Sequence, residues 1–299
     1  ILLMTDTQRK DMVGAYGNPN IRTPHLDQLA SEGVLMEQCF TTNPVCGPAR
    51  GSIFTGLFPH SNGVTANGLS PFSTVLTMAD RLQKEGIQTA YIGKWHLDGG
   101  DYFGNGISPT GWDESEWYDM RNYLDELSED ERVKTRKQQS VLQGMDATIT
   151  FANRCTNRAI NYIKKHKDED FLLVVSYDEP HHPYICPKEF YDAFSTYKHP
   201  KSNNVYDTLE TKPRHQQLWA KQVNINPDDD LIEPYWFGCN SYVDSEIGRV
   251  LDHVQTTLEE PMILYTADHG GAFHSHRLSD KGPAMYDEIT NVPFILKHT

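Results

Sequence analysis

The chain has 299 residues, 38% of them hydrophobic and 11% aromatic, which is enough for a sizeable core and excludes a disordered or collagen-like polypeptide. Its 27 Lys+Arg stand against 41 Asp+Glu, a formal net charge of −14, which excludes general attraction to nucleic acid or anionic membranes and requires any anionic substrate to meet a local positive field. No run of about eighteen apolar residues is present, which excludes a transmembrane helix.

Short apolar runs alternate with helix-like segments, the βαβ rhythm of an α/β fold with a mostly parallel central sheet and helices on both faces. ILLMT (residues 1–5) is the first strand. TPHLDQLASEG follows as a helix, with Thr23 as N-cap, Pro24 at its first position and Gly33 as terminator. A second helix, Val75 to Glu85, feeds the strand TAYIG (Thr89–Gly93). A third, Phe151 to His166, leads into FLLVVSY (Phe171–Tyr177), apolar on both faces as a central parallel strand is. A fourth carries Val243, Ile247, Val250, Leu251 and Val254 on one stripe before MILYT (Met262–Thr266). The chain reads as a single domain over residues 1–299, with insertions at about 101–144 and 199–236 expected as solvated surface excursions. The acidic, aromatic composition of the first suits a polar substrate such as a sugar.

Five cysteines (Cys39, Cys46, Cys155, Cys186, Cys239) are odd in number and form no CxxC pair. They argue against a disulfide framework or a zinc site and favour a reducing compartment. Both ends of the sequence are apolar strand-like runs, so a signal peptide, a periplasmic location and a further C-terminal segment all stay open.

Ligands of an open parallel sheet bind beyond the carboxyl ends of its strands. Four expected strands run there into reactive side chains: Asp6 after ILLMT, Lys94 and His96 in GKWH, His181 and His182 in EPHHP, and Asp268 and His269 in ADHGG. A carboxylate and an imidazole delivered together suit a divalent cation. In VCGPARGSIFTG a helix starting near Gly47 would put Cys46 at the N-cap, facing the positive end of the dipole, with Arg50 a turn later. That setting would depress a thiol pKa. A cysteine phosphatase is one reading, but its cysteine-to-arginine spacing is longer and it leaves Asp6 and Asp268-His269 without a role. Lys281 in SDKGPAMYDE is the weakest of the set by pattern alone.

Cys46, Pro48 and Arg50, followed by Thr55 and Gly56, resemble the signature of the type I sulfatases in the alkaline phosphatase superfamily. TDTQRKDMVGAYGN, GKWH, PHHP, ADHGG and SDKGPAMYDE extend the resemblance over most of the chain. It implies an alkaline phosphatase-like fold and a sulfuric ester hydrolase acting on the sulfate of a sugar or aryl alcohol. In that family a maturation enzyme oxidises the cysteine to formylglycine; one hydroxyl of its hydrated aldehyde attacks sulfur, and the other re-forms the aldehyde and ejects sulfate. By position, Asp6, Cys46, Asp268 and His269 would hold the metal, Ca2+ foremost, with Mg2+ or Mn2+ as alternatives. Arg50 would orient the diol, Lys94 and Lys281 would clamp sulfate, His96 would be the base in sulfate release and His181 the acid at the leaving oxygen. His276 would line the pocket. Two departures stand out: Thr7 where the family commonly has a second aspartate, and His269 where asparagine is frequent. They move the pattern toward members that hydrolyse phosphonate monoesters and phosphodiesters, the alternative activity; a non-catalytic metal- or anion-binding homologue is the other. The resemblance also implies a small C-terminal domain with an antiparallel sheet, for which no matching segment is seen here.

Overall fold

The computed structural model describes residues 1–298. Six strands form one mixed sheet: β1 (Leu2–Thr5), β2 (Val34–Leu35), β3 (Gln88–Gly93), β4 (Phe171–Ser176), β5 (Ile263–Ala267) and β6 (Phe294–Lys297), in the order β2-β6-β5-β1-β4-β3. The central four run parallel, whereas β6 lies antiparallel to β5 and β2 antiparallel to β6.

Alternation along the strands divides the core. Leu3, Ala90, Ile92, Leu173 and Val175 pack against the Pro24–Ser31, Phe151–His166 and Pro234–Thr257 helices. Leu2, Met4, Tyr91 and Val174 meet Phe54 of the Cys46–Thr55 helix and Ala79 of the Met78–Lys84 helix on the other face. Strands buried on both sides need apolar residues at every position, which is why these runs do not alternate.

Several boundaries differ from expectation, each for a local reason. The helix expected from Val75 begins at Met78, because Thr77 and Asp80 close a capping box there. The helix carrying Val243 to Val254 starts at Pro234, so its first turn takes in the end of the expected 199–236 insertion. The 101–144 segment is not a solvated excursion: Trp112, Trp117, Tyr118, Met120, Tyr123, Leu124, Leu127 and Val141 are buried in the core. Tyr118 bridges to Ile92, adding to the β3 edge. Covering that edge satisfies strand groups that water would otherwise have to reach. Among the described residues all five cysteines are free thiols, and no helix is long and apolar enough to cross a membrane.

Candidate active site

The carboxyl ends of β1, β3, β4 and β5 converge on one buried polar cluster. Asp6 follows β1 directly, Asp268 follows β5, and both are fully buried. The helix from Cys46 to Thr55 aims its first turn between them. Val45 is its N-cap, so Cys46 occupies the first helical position, one residue further in than the sequence suggests. Gly56, at φ 72°, ends the helix in the left-handed region. One ligand atom each from Asp6, Cys46, Asp268 and His269 lie within 4.8 Å of one another. His269 Nδ1 sits 2.7 Å from the Gly270 carbonyl, to which it donates, so Nε2 turns inward, 3.2 Å from Cys46 Sγ. Two carboxylates, an imidazole nitrogen and a cysteine-derived atom form a donor set that fits a divalent cation.

Three cations surround those two carboxylates. Arg50 is fully buried; its Nε donates to Asp268 Oδ2 at 3.0 Å and its Nη2 to Asp6 Oδ2 at 3.1 Å. Its Nη1 donates to the Lys94 carbonyl at 2.6 Å and to Ser176 Oγ at 2.8 Å. The guanidinium therefore braces the carboxylates from behind. Lys94 Nζ is 2.8 Å from Asp6 Oδ2, and donates to Asp178 Oδ1 and to the Tyr102 hydroxyl at 2.9 Å each. These partners account for its three N–H groups. Lys281 Nζ donates to Thr7 Oγ1 at 3.1 Å and lies 3.7 Å from Asp6 Oδ1. Three cations thus stand among the three carboxylates Asp6, Asp268 and Asp178, a local concentration of positive groups within a protein of charge −14.

The charges set the proton affinities. Burial disfavours an ionised Asp6, yet Lys94, Lys281, His181 and Arg50 together hold it well below the usual carboxylate range. Burial and the Asp6 charge push Asp268 up to about 7. Burial opposes a charged His269, but the Asp268 carboxylate overcomes it and raises the imidazole to about 9. Burial and Asp6 resist a Cys46 thiolate; Lys94, His269 and Lys281 prevail and depress the thiol well below its ordinary value.

Thr7 replaces charge with connectivity. Its φ of 58° is unusual for a β-branched residue; the turn aims its N–H at Asp268 Oδ1 (3.2 Å) and its hydroxyl at Asp6 Oδ1 (2.6 Å). His96, also at positive φ (60°), is buried with Nδ1 unpartnered, its ring edge-on to Tyr102 at 5.4 Å. His181 Nδ1 lies 3.1 Å from the Tyr102 hydroxyl and 2.7 Å from the His182 carbonyl.

Asp6, Cys46, Arg50, Lys94, Asp268, His269 and Lys281 are therefore brought together, with His96 and His181 on the rim beside Tyr102. His276 is held elsewhere: it lies 3.0 Å from Asp207 Oδ2 and stacks on Tyr286 at 3.7 Å. Sequence reasoning misses Asp178 and Tyr102, which share Lys94. Asp178 is visible as a carboxylate two residues past β4; Tyr102 carries no local signal, since its place depends on the path of the 101–144 segment.

The chain is 40% identical over 307 residues to the uncharacterized sulfatase YidJ of Escherichia coli K12, covering 99% of this chain and 62% of that protein. It is 25% identical to the N-acetylglucosamine-6-O-sulfatase of Bacteroides thetaiotaomicron, over all of this chain and 62% of that enzyme. The chain thus spans less than two thirds of these relatives' length. The fold superposes on the phosphonate monoester hydrolase of Agrobacterium radiobacter with a TM-score of 0.79 at 19% identity, covering 99% of this chain and 67% of that one. The sulfatase family profile matches residues 1–298, and the chain belongs to the sulfatase family.

Proposed function

We propose that the protein is a metal-dependent sulfuric ester hydrolase that cleaves the sulfate ester of an organic alcohol, with Cys46 as the precursor of its nucleophile. The observation that carries this reading is the meeting of Cys46 with Asp6, Asp268 and His269 inside a ring of three cations. The family implies a metal ion and formylglycine in general. A formylglycine made from Cys46 would supply the attacking oxygen, and a divalent cation would supply positive charge beside it. Hard carboxylate donors favour Ca2+ over softer-binding metals.

The chain's own residues divide the remaining work. Asp6, Asp268 and His269 would hold the cation with the residue at position 46. Arg50 acts as a positioning residue: its donors fix both carboxylates, which supports a role through them rather than a direct grip on the diol. Lys94 and Lys281 provide the positive field for sulfate oxygens, Lys281 with its side chain still 12% exposed. His181, on the rim, supplies a proton to the departing alkoxide, and His96 takes one as sulfate leaves.

The phosphonate reading rests on Thr7 and His269 in the metal motifs, with a likeness of fold at 19% identity beside it, whereas the relative at 40% identity is named a sulfatase. Peptide mass spectrometry across residue 46, on protein from its native source, tests the proposal. Formylglycine, an aldehyde oxygen in place of the thiol, is expected; an unmodified cysteine throughout, with no turnover of sulfate esters, would overturn it.

A further inference from the structure

A second cavity adjoins the cluster. It encloses about 350 Å3 between the turn that carries His181 and the 101–151 stretch. Its walls include Tyr102, Phe103, Tyr123, Phe151 and Arg136, with His181 at one side. Tyr102 belongs to both places: its hydroxyl accepts from Lys94 Nζ and lies 3.1 Å from His181 Nδ1, while its ring faces the cavity wall.

The Tyr102, Tyr123 and Thr135 hydroxyls of this wall are already engaged within the protein, which leaves the Arg136 guanidinium and the His182 ring as its polar side chains without a hydrogen-bond partner among the described residues. The Tyr123 hydroxyl donates to the Ile149 carbonyl at 2.6 Å. Thr135 Oγ1 is directed at the Glu131 and Arg132 carbonyls at 3.1 and 3.3 Å. Glu179 Oε1 accepts the Ala152 N–H at 3.0 Å. What faces inward is mostly hydrocarbon and aromatic surface. The Arg136 guanidinium lies over the Phe103 ring at 4.6 Å, a flat cationic plate against which a further ring can stack. A saccharide would bring more hydroxyls into this mostly aromatic space than Arg136 and His182 can partner, each unpaired one a desolvation loss. A flat apolar ring would lose nothing, and the volume suits a small bicyclic group.

Resting on the sulfatase reading above, we infer that this cavity receives the leaving alcohol and that the alcohol is aryl. A phenolic oxygen beside His181 would leave its ring among Phe103, Tyr123 and Phe151, with the sulfate directed toward Lys94 and Lys281. The pocket thereby selects aryl sulfates over sulfated sugars.

The test separates this inference from the reading beneath it by measuring binding as well as turnover. Methylumbelliferone, the desulfated fluorescent alcohol, is titrated into the purified wild-type protein, Phe103→Ala and Thr135→Phe, with thermal melts confirming that each variant folds. Phe103→Ala removes a stacking face and Thr135→Phe fills the cavity. Saturable binding to wild type, with Kd raised about tenfold in both variants, is expected. The KM ratio of methylumbelliferyl sulfate to ethyl sulfate should rise in parallel. No saturable binding, or a Kd unchanged in both variants, would overturn the inference. So would a glucosamine sulfate that displaces methylumbelliferone and has a higher kcat/KM than the aryl sulfate. Intact, variant-sensitive binding with no hydrolysis of any sulfate ester would support the pocket while defeating the sulfatase reading.

Discussion

Glu179 gives the sharpest handle on how the surroundings of this site are held in the fold. It is 5% exposed, accepts one hydrogen bond from Ala152 at the start of the Phe151–His166 helix, and leaves Oε2 without a partner. Burial, with the adjacent Asp178 charge, pushes its carboxyl from the usual 4.5 up to about 8. The folded protein therefore holds a proton there that the unfolded chain releases. Because the folded pKa is the higher one, this stabilisation is fully present below about pH 4.5 and is lost as pH rises through about 8. Integrated between about pH 5.5 and about pH 8.5, the loss is on the order of 3 kcal/mol, since a proton bound only in the folded state changes stability by about 1.4 kcal/mol for each step of one in pH. Glu179→Gln is uncharged in both states and keeps the acceptor for Ala152. Urea unfolding at the two pH values should show the variant gaining about 3 kcal/mol on wild type from the lower to the higher, with a flatter pH dependence. Parallel slopes for the two proteins would refute the assignment of a protonated Glu179.

Other outcomes follow from the cluster. Lys281→Ala should lower kcat/KM for a sulfate ester by about tenfold to a hundredfold without unfolding the protein, since one charged contact to the anion is lost from a partly exposed side chain; full activity would remove Lys281 from the site. Arg50→Gln strips the shared partner from Asp6 and Asp268, both fully buried, and should destabilise the fold by about 3–5 kcal/mol in denaturant titration. Adding Ca2+ to chelator-treated protein should raise its stability, by about 2.7 kcal/mol at a hundredfold excess over Kd, because the cation relieves repulsion between the two carboxylates; a melting temperature indifferent to Ca2+ would count against the donor set.

Much of the scaffold was legible because burial on both faces forces continuous apolar runs, as in β1, β4 and β5. The reactive side chains just past those strands were legible for the same reason: a strand's end fixes where the next residue points. β2 was not, because two residues with Val34 exposed carry no periodicity, and its place is set by pairing with β6. The 101–144 segment misled because its acidic residues advertise solvent while its Trp, Tyr and Leu side chains pack beneath. Asp178, Tyr102 and the true contacts of Arg50 and His276 are tertiary facts. Each depends on which loop crosses which strand, and spacing along the chain does not encode that.

The central claim is that the cluster around Cys46 is built for sulfate esters. It is met most directly by kcat/KM for paired aryl sulfate and aryl phosphonate monoester substrates, using protein in which residue 46 is fully converted and Ca2+ is supplied. A higher kcat/KM is predicted for the sulfate. A markedly higher value for the phosphonate would contradict the claim.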